Sequence, residues 1–169
     1  LFAFSFPHLG SAQERLQGTY DSKRKSFQVE GKNYEINDFR HGFSKYYVGD
    51  LYGVIDTTGR IVCQPKYYEV EGYMGGLSRV TMKAEPWELT YGFIDEQGKE
   101  VLAPIYDDAD DMFYRSMRFA NVLVVGKEGR YGLFDYSGKQ LAPLKYNSIS
   151  DMRSGRFLVH KDGLLGYLD

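Results

Sequence analysis

The chain has 169 residues, 43% of them apolar, enough to bury one domain-sized core. A formal net charge of -2 argues against general attraction to nucleic acid or anionic lipid, and no run of about 20 apolar residues offers a membrane-spanning helix. The bias lies elsewhere: 15 Tyr and 11 Phe stand against 19 Gly and only 5 Pro, a mixture that favours strands joined by tight turns.

Leu1-Phe2-Ala3-Phe4-Ser5-Phe6 is an apolar run broken by Pro7, and Gly10-Ser11-Ala12 follows with small residues. Two readings of residues 1–17 stand side by side. One is the back half of a secretory signal with cleavage before Gln13, and the other is an apolar terminal strand. Lys23-Arg24-Lys25 is the one basic run and reads as a solvated loop.

From there the chain repeats itself. Tyr52 to Tyr67, Tyr91 to Tyr106 and Tyr131 to Tyr146 share one skeleton: Tyr-Gly, an apolar pair, Asp-x-x-Gly, a further apolar pair, then Pro and Tyr. The skeleton begins again at Leu165-Gly166-Tyr167-Leu168-Asp169. Gly53, Gly92, Gly132 and Gly166 lie 39, 40 and 34 residues apart. A second landmark precedes the motif, as Phe39-x-x-Gly42-Phe43-Ser44-Lys45 and Tyr73-x-x-Gly76-Leu77-Ser78-Arg79. From landmark to motif, Tyr46 to Tyr52 and Val159 to Leu165 span 6 residues, whereas Val80 to Tyr91 spans 11. Met112 to Val125 spans 13 where Tyr73 to Val80 spans 7. The underlying unit is therefore about 34 residues with two insertions. Gly18-Thr19-Tyr20-Asp21 opens a worn first copy suited to a cap. Residues 18–169 thus form one repeat domain, with units near 18–52, 53–91, 92–131 and 132–165 and the start of another at 166–169.

Each unit reads as short antiparallel strands, and no window has a helical period with caps. Asp opens a type I turn and Gly closes it in the left-handed region, at Asp56 to Gly59, Asp95 to Gly98 and Asp135 to Gly138. Gly49-Asp50, Glu128-Gly129 and Asp162-Gly163 are tight hairpin tips. Pro65, Pro104 and Pro143 lack an N–H and are expected to end a strand. The fold class is all-β, a tandem array of antiparallel hairpins. A unit this short suits a four-stranded propeller blade poorly, which favours an open or partly closed array over a small propeller or barrel.

This skeleton resembles the WG-repeat family of bacterial repeat proteins, over nearly all of residues 18–169. Tyr52, Tyr91, Tyr131 and Leu165 stand where that family has Trp before Gly, so a role tied to the Trp does not carry over. The resemblance implies a β-hairpin array, often in secreted or envelope-associated proteins, with no catalytic residues to transfer.

The recurring Asp56, Asp95 and Asp135 read as turn formers, since one catalytic pair needs no copy per repeat. Cys63, the only cysteine, aligns with Leu102 and Ala142 and reads as a small buried apolar site. His8, His41 and His160 show no metal-ligand spacing. Asp107, Asp108, Asp110 and Asp111 form an acidic run aligned with Tyr68 to Gly72 and Asn147 to Asp151. A solvated loop is the expected reading and calcium the weaker one, because the EF-hand glycine and glutamate are absent. The insertions carry the partner-binding candidates, Trp87 in the first and Tyr114, Arg115 and Arg118 in the second. The expected function is a non-catalytic protein-interaction module, secreted or at the bacterial envelope, with glycan binding through exposed aromatics as the alternative. Neither needs a cofactor. A hydrolase would need an acid/base pair in a cleft, and no such pair can be named.

Overall fold

The computed structural model describes residues 18–21, 26–29, 32–36, 40–85, 88–111, 121–151 and 156–168. Residues 1–17, Lys23 to Lys25, Trp87, Tyr114, Arg115 and Arg118 lie outside them, as do the side chains of Asp110 and Asp111. The described residues hold strands and turns and no helix. The chain opens with a three-stranded meander, β1 (Gly18–Asp21), β2 (Ser26–Val29) and β3 (Lys32–Glu35).

The regular units follow as separate antiparallel sheets. The first is β4 (Phe43–Val48), β5 (Leu51–Asp56) and β6 (Ile61–Tyr67), extended by a bridge from Ile36 to Tyr46. The second is β7 (Glu69–Val70), β8 (Leu77–Glu85), β9 (Glu88–Asp95) and β10 (Glu100–Tyr106). The third is β11 (Asp108–Asp111), β12 (Val122–Lys127), β13 (Arg130–Asp135) and β14 (Gln140–Tyr146). The fourth is β15 (Ser148–Asp151), β16 (Phe157–Lys161) and β17 (Leu164–Leu168). Ile36, Val70, Ala109 and Ile149 hold equivalent places, opposite Tyr46, Val80, Val125 and Val159. The unit is therefore four-stranded after all. It fits in so few residues because its outer strand is very short and its hairpin tips are tight. The chain changes sheet just after Tyr67, Tyr106 and Tyr146, and none of the described sheets closes on itself, so the array is open.

Turn chemistry is as the spacing predicts. The Oδ1 of Asp56 accepts the N–H groups of Thr58 (2.8 Å) and Arg60 (3.0 Å). Asp95 does the same for Gln97 and Lys99, and Asp135 for Ser137 and Lys139. The Gly129 and Gly163 tips have both residues at positive φ, whereas at Gly49-Asp50 only the glycine does. The prolines depart from expectation. Pro65, Pro104 and Pro143 lie inside β6, β10 and β14, at a bulge. The register runs from Tyr52↔Tyr67 to Val54↔Cys63, so the Pro-bearing strand carries two extra residues, and β10 and β14 repeat this. The bulge explains the motif glycine. A Cβ at Gly92 would lie 2.5 Å from the Leu102 carbonyl oxygen and 2.6 Å from the Pro104 nitrogen, so only Gly lets the strands meet.

The apolar pair explains the stacking. Ile94 packs back on Val54, Val62, Cys63 and Tyr67 of the first sheet, while its neighbour Phe93 packs forward on Leu123, Val125 and Phe134 of the third. Phe134 and Leu133 divide in the same way between the second and fourth sheets. Consecutive strand residues point to opposite faces, so a pair that is apolar twice over marks a sheet covered on both sides. The turn glycines lock the stack. A Cβ at Gly98 would sit 2.0 Å from the Val62 carbonyl oxygen of the preceding sheet, and one at Gly138 would sit 2.4 Å from that of Val101.

A candidate interaction groove between the first two sheets

The third and fourth sheets share a polar latch. The residue after Tyr106 or Tyr146 reaches the next hairpin tip. The Asp107 carboxylate accepts the Glu128 N–H, and Asn147 Oδ1 accepts the Asp162 N–H at 2.7 Å. Asp108, meanwhile, accepts the Tyr131 hydroxyl at 2.9 Å, an arrangement that holds the phenol above its ordinary value. Two of the four carboxylates in the acidic run thus have structural work. Among the described residues, no group of His, Cys, Asp or Glu is arranged to hold a metal ion.

The second sheet departs from this. Tyr68 takes the latch position in the second sheet, although its own N–H still bonds the Thr81 carbonyl at 2.9 Å, as Asp107 and Asn147 bond theirs. Where the third sheet turns at Glu128-Gly129, the second sheet has Lys83 paired with Leu89. The first insertion lengthens the hairpin instead, and β8 and β9 pair on through Lys83↔Leu89 to Glu85↔Glu88. Beyond Thr81 and Tyr91 neither β7 nor β10 follows them, so the insertion stands as a two-stranded ribbon. Pro86 and Trp87, between its two strands in sequence, lie outside the described residues.

A groove of about 700 Å³ opens between this ribbon and the β4–β5 hairpin tip. The hairpin supplies Tyr47, Leu51 and Tyr52, Tyr68 lies between, and Met82 and Lys83 come from β8. Tyr47 is 38% exposed and Tyr68 41%. The Tyr47 and Tyr52 rings meet edge to face, with centroids 6.0 Å apart and planes at 61°. The Lys83 ammonium lies 5.2 Å from the Tyr68 ring centre. Lys45 pairs with Glu69 at 2.6 Å and Lys66 with Glu100 at 2.8 Å, while Asp50 lines the rim at the hairpin tip.

The skeleton matches the sequence profile of the WG containing repeat over residues 52–83, 91–117 and 131–164, more than half of the chain. The chain belongs to this family. No curated protein matches it. Each WG repeat match begins on the tyrosine of the glycine motif, and the first ends at Lys83, where the ribbon leaves the regular sheet.

Elsewhere the ionisable groups are held quiet. Burial pushes the Cys63 thiol up to about 11, and burial likewise raises the Tyr67 and Tyr73 phenols. Burial also raises the Asp56 carboxyl, but hydrogen bonds from Arg60 and Thr58 outweigh it and leave the group below its ordinary value. The first insertion forms the ribbon wall of the groove, yet none of the lining residues was a binding candidate from sequence. Two doublets carried the signal. Tyr46-Tyr47 and Tyr67-Tyr68 place a second tyrosine where the unit needs one, and Tyr68 aligns with Asp107 and Asn147.

Proposed function

We propose that this WG-repeat array is a non-catalytic module that binds a partner protein through its first two sheets, in the secreted or envelope-associated fraction of a bacterial cell. The observation that carries the reading is the groove itself. Exposed tyrosines and a methionine gather at the unit whose latch residue and hairpin depart from the pattern, and aromatics in such pockets anchor protein partners. The non-catalytic part is supported by the recurring aspartates, whose carboxylates serve backbone N–H groups in turns. The location is supported by the apolar run ahead of Gly10-Ser11-Ala12 and by the family resemblance. Trp87 of the first insertion and Tyr114, Arg115 and Arg118 of the second remain candidates for further contacts.

Glycan binding is the second reading, favoured by the exposed tyrosines. The 61° angle between Tyr47 and Tyr52 weighs against it, because sugar faces stack best on rings that share a plane. Photo-crosslinking separates the two. The full protein is made in cells with a benzophenone amino acid at Tyr47 or at the remote, exposed Leu141. A protease-sensitive adduct of defined mass from position 47 alone supports a protein partner. No polypeptide adduct, together with oligosaccharide binding abolished by Tyr68→Ala, points to the glycan.

A further inference from the structure

We propose that the groove is a strand-addition site, in which an extended segment of the partner pairs with the free edge of β8 at Lys83. This deepens, and rests on, the reading that the module binds a protein. The backbone fixes the edge. The Arg79 and Thr81 carbonyls accept the N–H groups of Glu71 and Tyr68, both at 2.9 Å, so alternate residues of β8 direct their backbone polar groups to this side. β7 covers the edge only as far as Thr81. Lys83 comes next in the alternation and turns its N–H and C=O toward the same side, with no strand beside it among the described residues. In the third sheet the corresponding stretch is the Glu128-Gly129 tip, and no edge is left to offer.

The walls define the occupant. A strand on this edge would lie between the ribbon and the β4–β5 tip, with alternate side chains facing Tyr47, Tyr52 and Tyr68. A bulky apolar or aromatic residue fits there. Lys83 is the cation offered to the partner: Lys45 and Lys66 already have carboxylates, whereas among the described residues Lys83 meets the Tyr68 ring. Asp50 stands on the opposite rim, at the hairpin tip. The segment therefore carries an acidic residue toward Lys83 and a neutral or basic one toward Asp50. A lysine on the edge also discourages pairing with a second copy of the same edge.

The test pans the full chain against a displayed library of random dodecapeptides. Enriched sequences should pair a bulky apolar residue with Asp or Glu two positions away. Their affinity should fall by about tenfold or more in Tyr68→Ala, the loss typical of an anchor residue. It should also fall in Lys83→Glu and return when the peptide's acid becomes lysine. In the complex, exchange of the Lys83 amide should slow by about tenfold or more. No enrichment, binders indifferent to both substitutions, or an unchanged Lys83 amide overturns strand addition. If crosslinks from position 47 to a protein persist in that case, the interaction reading stands and only its mode is wrong. If crosslinks also fail, both fall.

Discussion

Alanine at Gly98 separates two costs that ordinarily come together. Gly98 has φ +79°, so any Cβ pays for the left-handed backbone, and its Cβ would also lie 2.0 Å from the Val62 carbonyl oxygen. Gly129 has φ +71° with nothing near its Cβ, which makes it the control. Gly129→Ala is expected to cost about 1–2 kcal/mol, the left-handed penalty alone. Gly98→Ala adds overpacking against backbone that cannot swing aside, about 1–3 kcal/mol more. Urea unfolding of both variants measures the difference. Since stability in an array is shared between neighbouring units, Gly98→Ala should also loosen the coupling of the first sheet to the second and broaden the transition. Equal losses in the two variants would refute the idea that this glycine joins one sheet to the next.

Other predictions follow from the same contacts. Phe93→Ala, at a fully buried site, should cost about 3–5 kcal/mol, whereas Tyr167→Ala, 64% exposed at the equivalent strand position, should stay within about 0.5 kcal/mol. Asp56, through its Arg60 and Thr58 bonds, and Glu100, chiefly through Lys66, have folded values below the ordinary one. The unfolded chain then takes up protons first as pH falls, so their stabilisation is complete above about pH 4–5 and is lost as pH drops through the lowered folded values. Melting temperatures from pH 6 to 2.5 should show this loss, and Asp56→Asn should flatten it; an identical acid limb would count against the turn hydrogen bonds. Cys63, buried with its thiol pushed up to about 11, should react with iodoacetamide at pH 8 at least about a hundredfold more slowly in the folded protein than in guanidinium. Mass spectrometry reads the rate directly.

The strand order and the stacking were legible in the sequence because each leaves a periodic mark. Asp-x-x-Gly names a turn, and an apolar pair such as Phe93-Ile94 names a sheet covered on both faces. Aligning Tyr46, Val80, Val125 and Val159 from spacing alone recovered the register, since all four face motif glycines. The prolines misled because a missing N–H is tolerated within a strand when a bulge takes it out of the ladder. The fourth strand escaped notice because two to four residues, as in Glu69–Val70, are too few to show alternation. The groove was half legible. The first insertion pointed to its ribbon wall, but the opposite wall comes from Tyr47 and Leu51 in an unremarkable hairpin. Only the fold brings those residues beside Tyr68 and Met82.

The decisive measurement turns the second unit back into a regular one. Deleting residues 83–87 with Leu89→Gly leaves Met82-Glu88-Gly-Thr90 in place of the ribbon, matching Lys127-Glu128-Gly129-Arg130 in the third sheet. Tyr68→Asn restores the latch that Asn147 supplies to Asp162. Binding of the partner captured at position 47 is then compared between this chain and the parent, alongside thermal unfolding. The expected result is a β-sheet spectrum and melting temperature close to the parent's, with partner binding lost. Binding retained by the regularised, folded chain would contradict the claim that function lies where the repeat is interrupted.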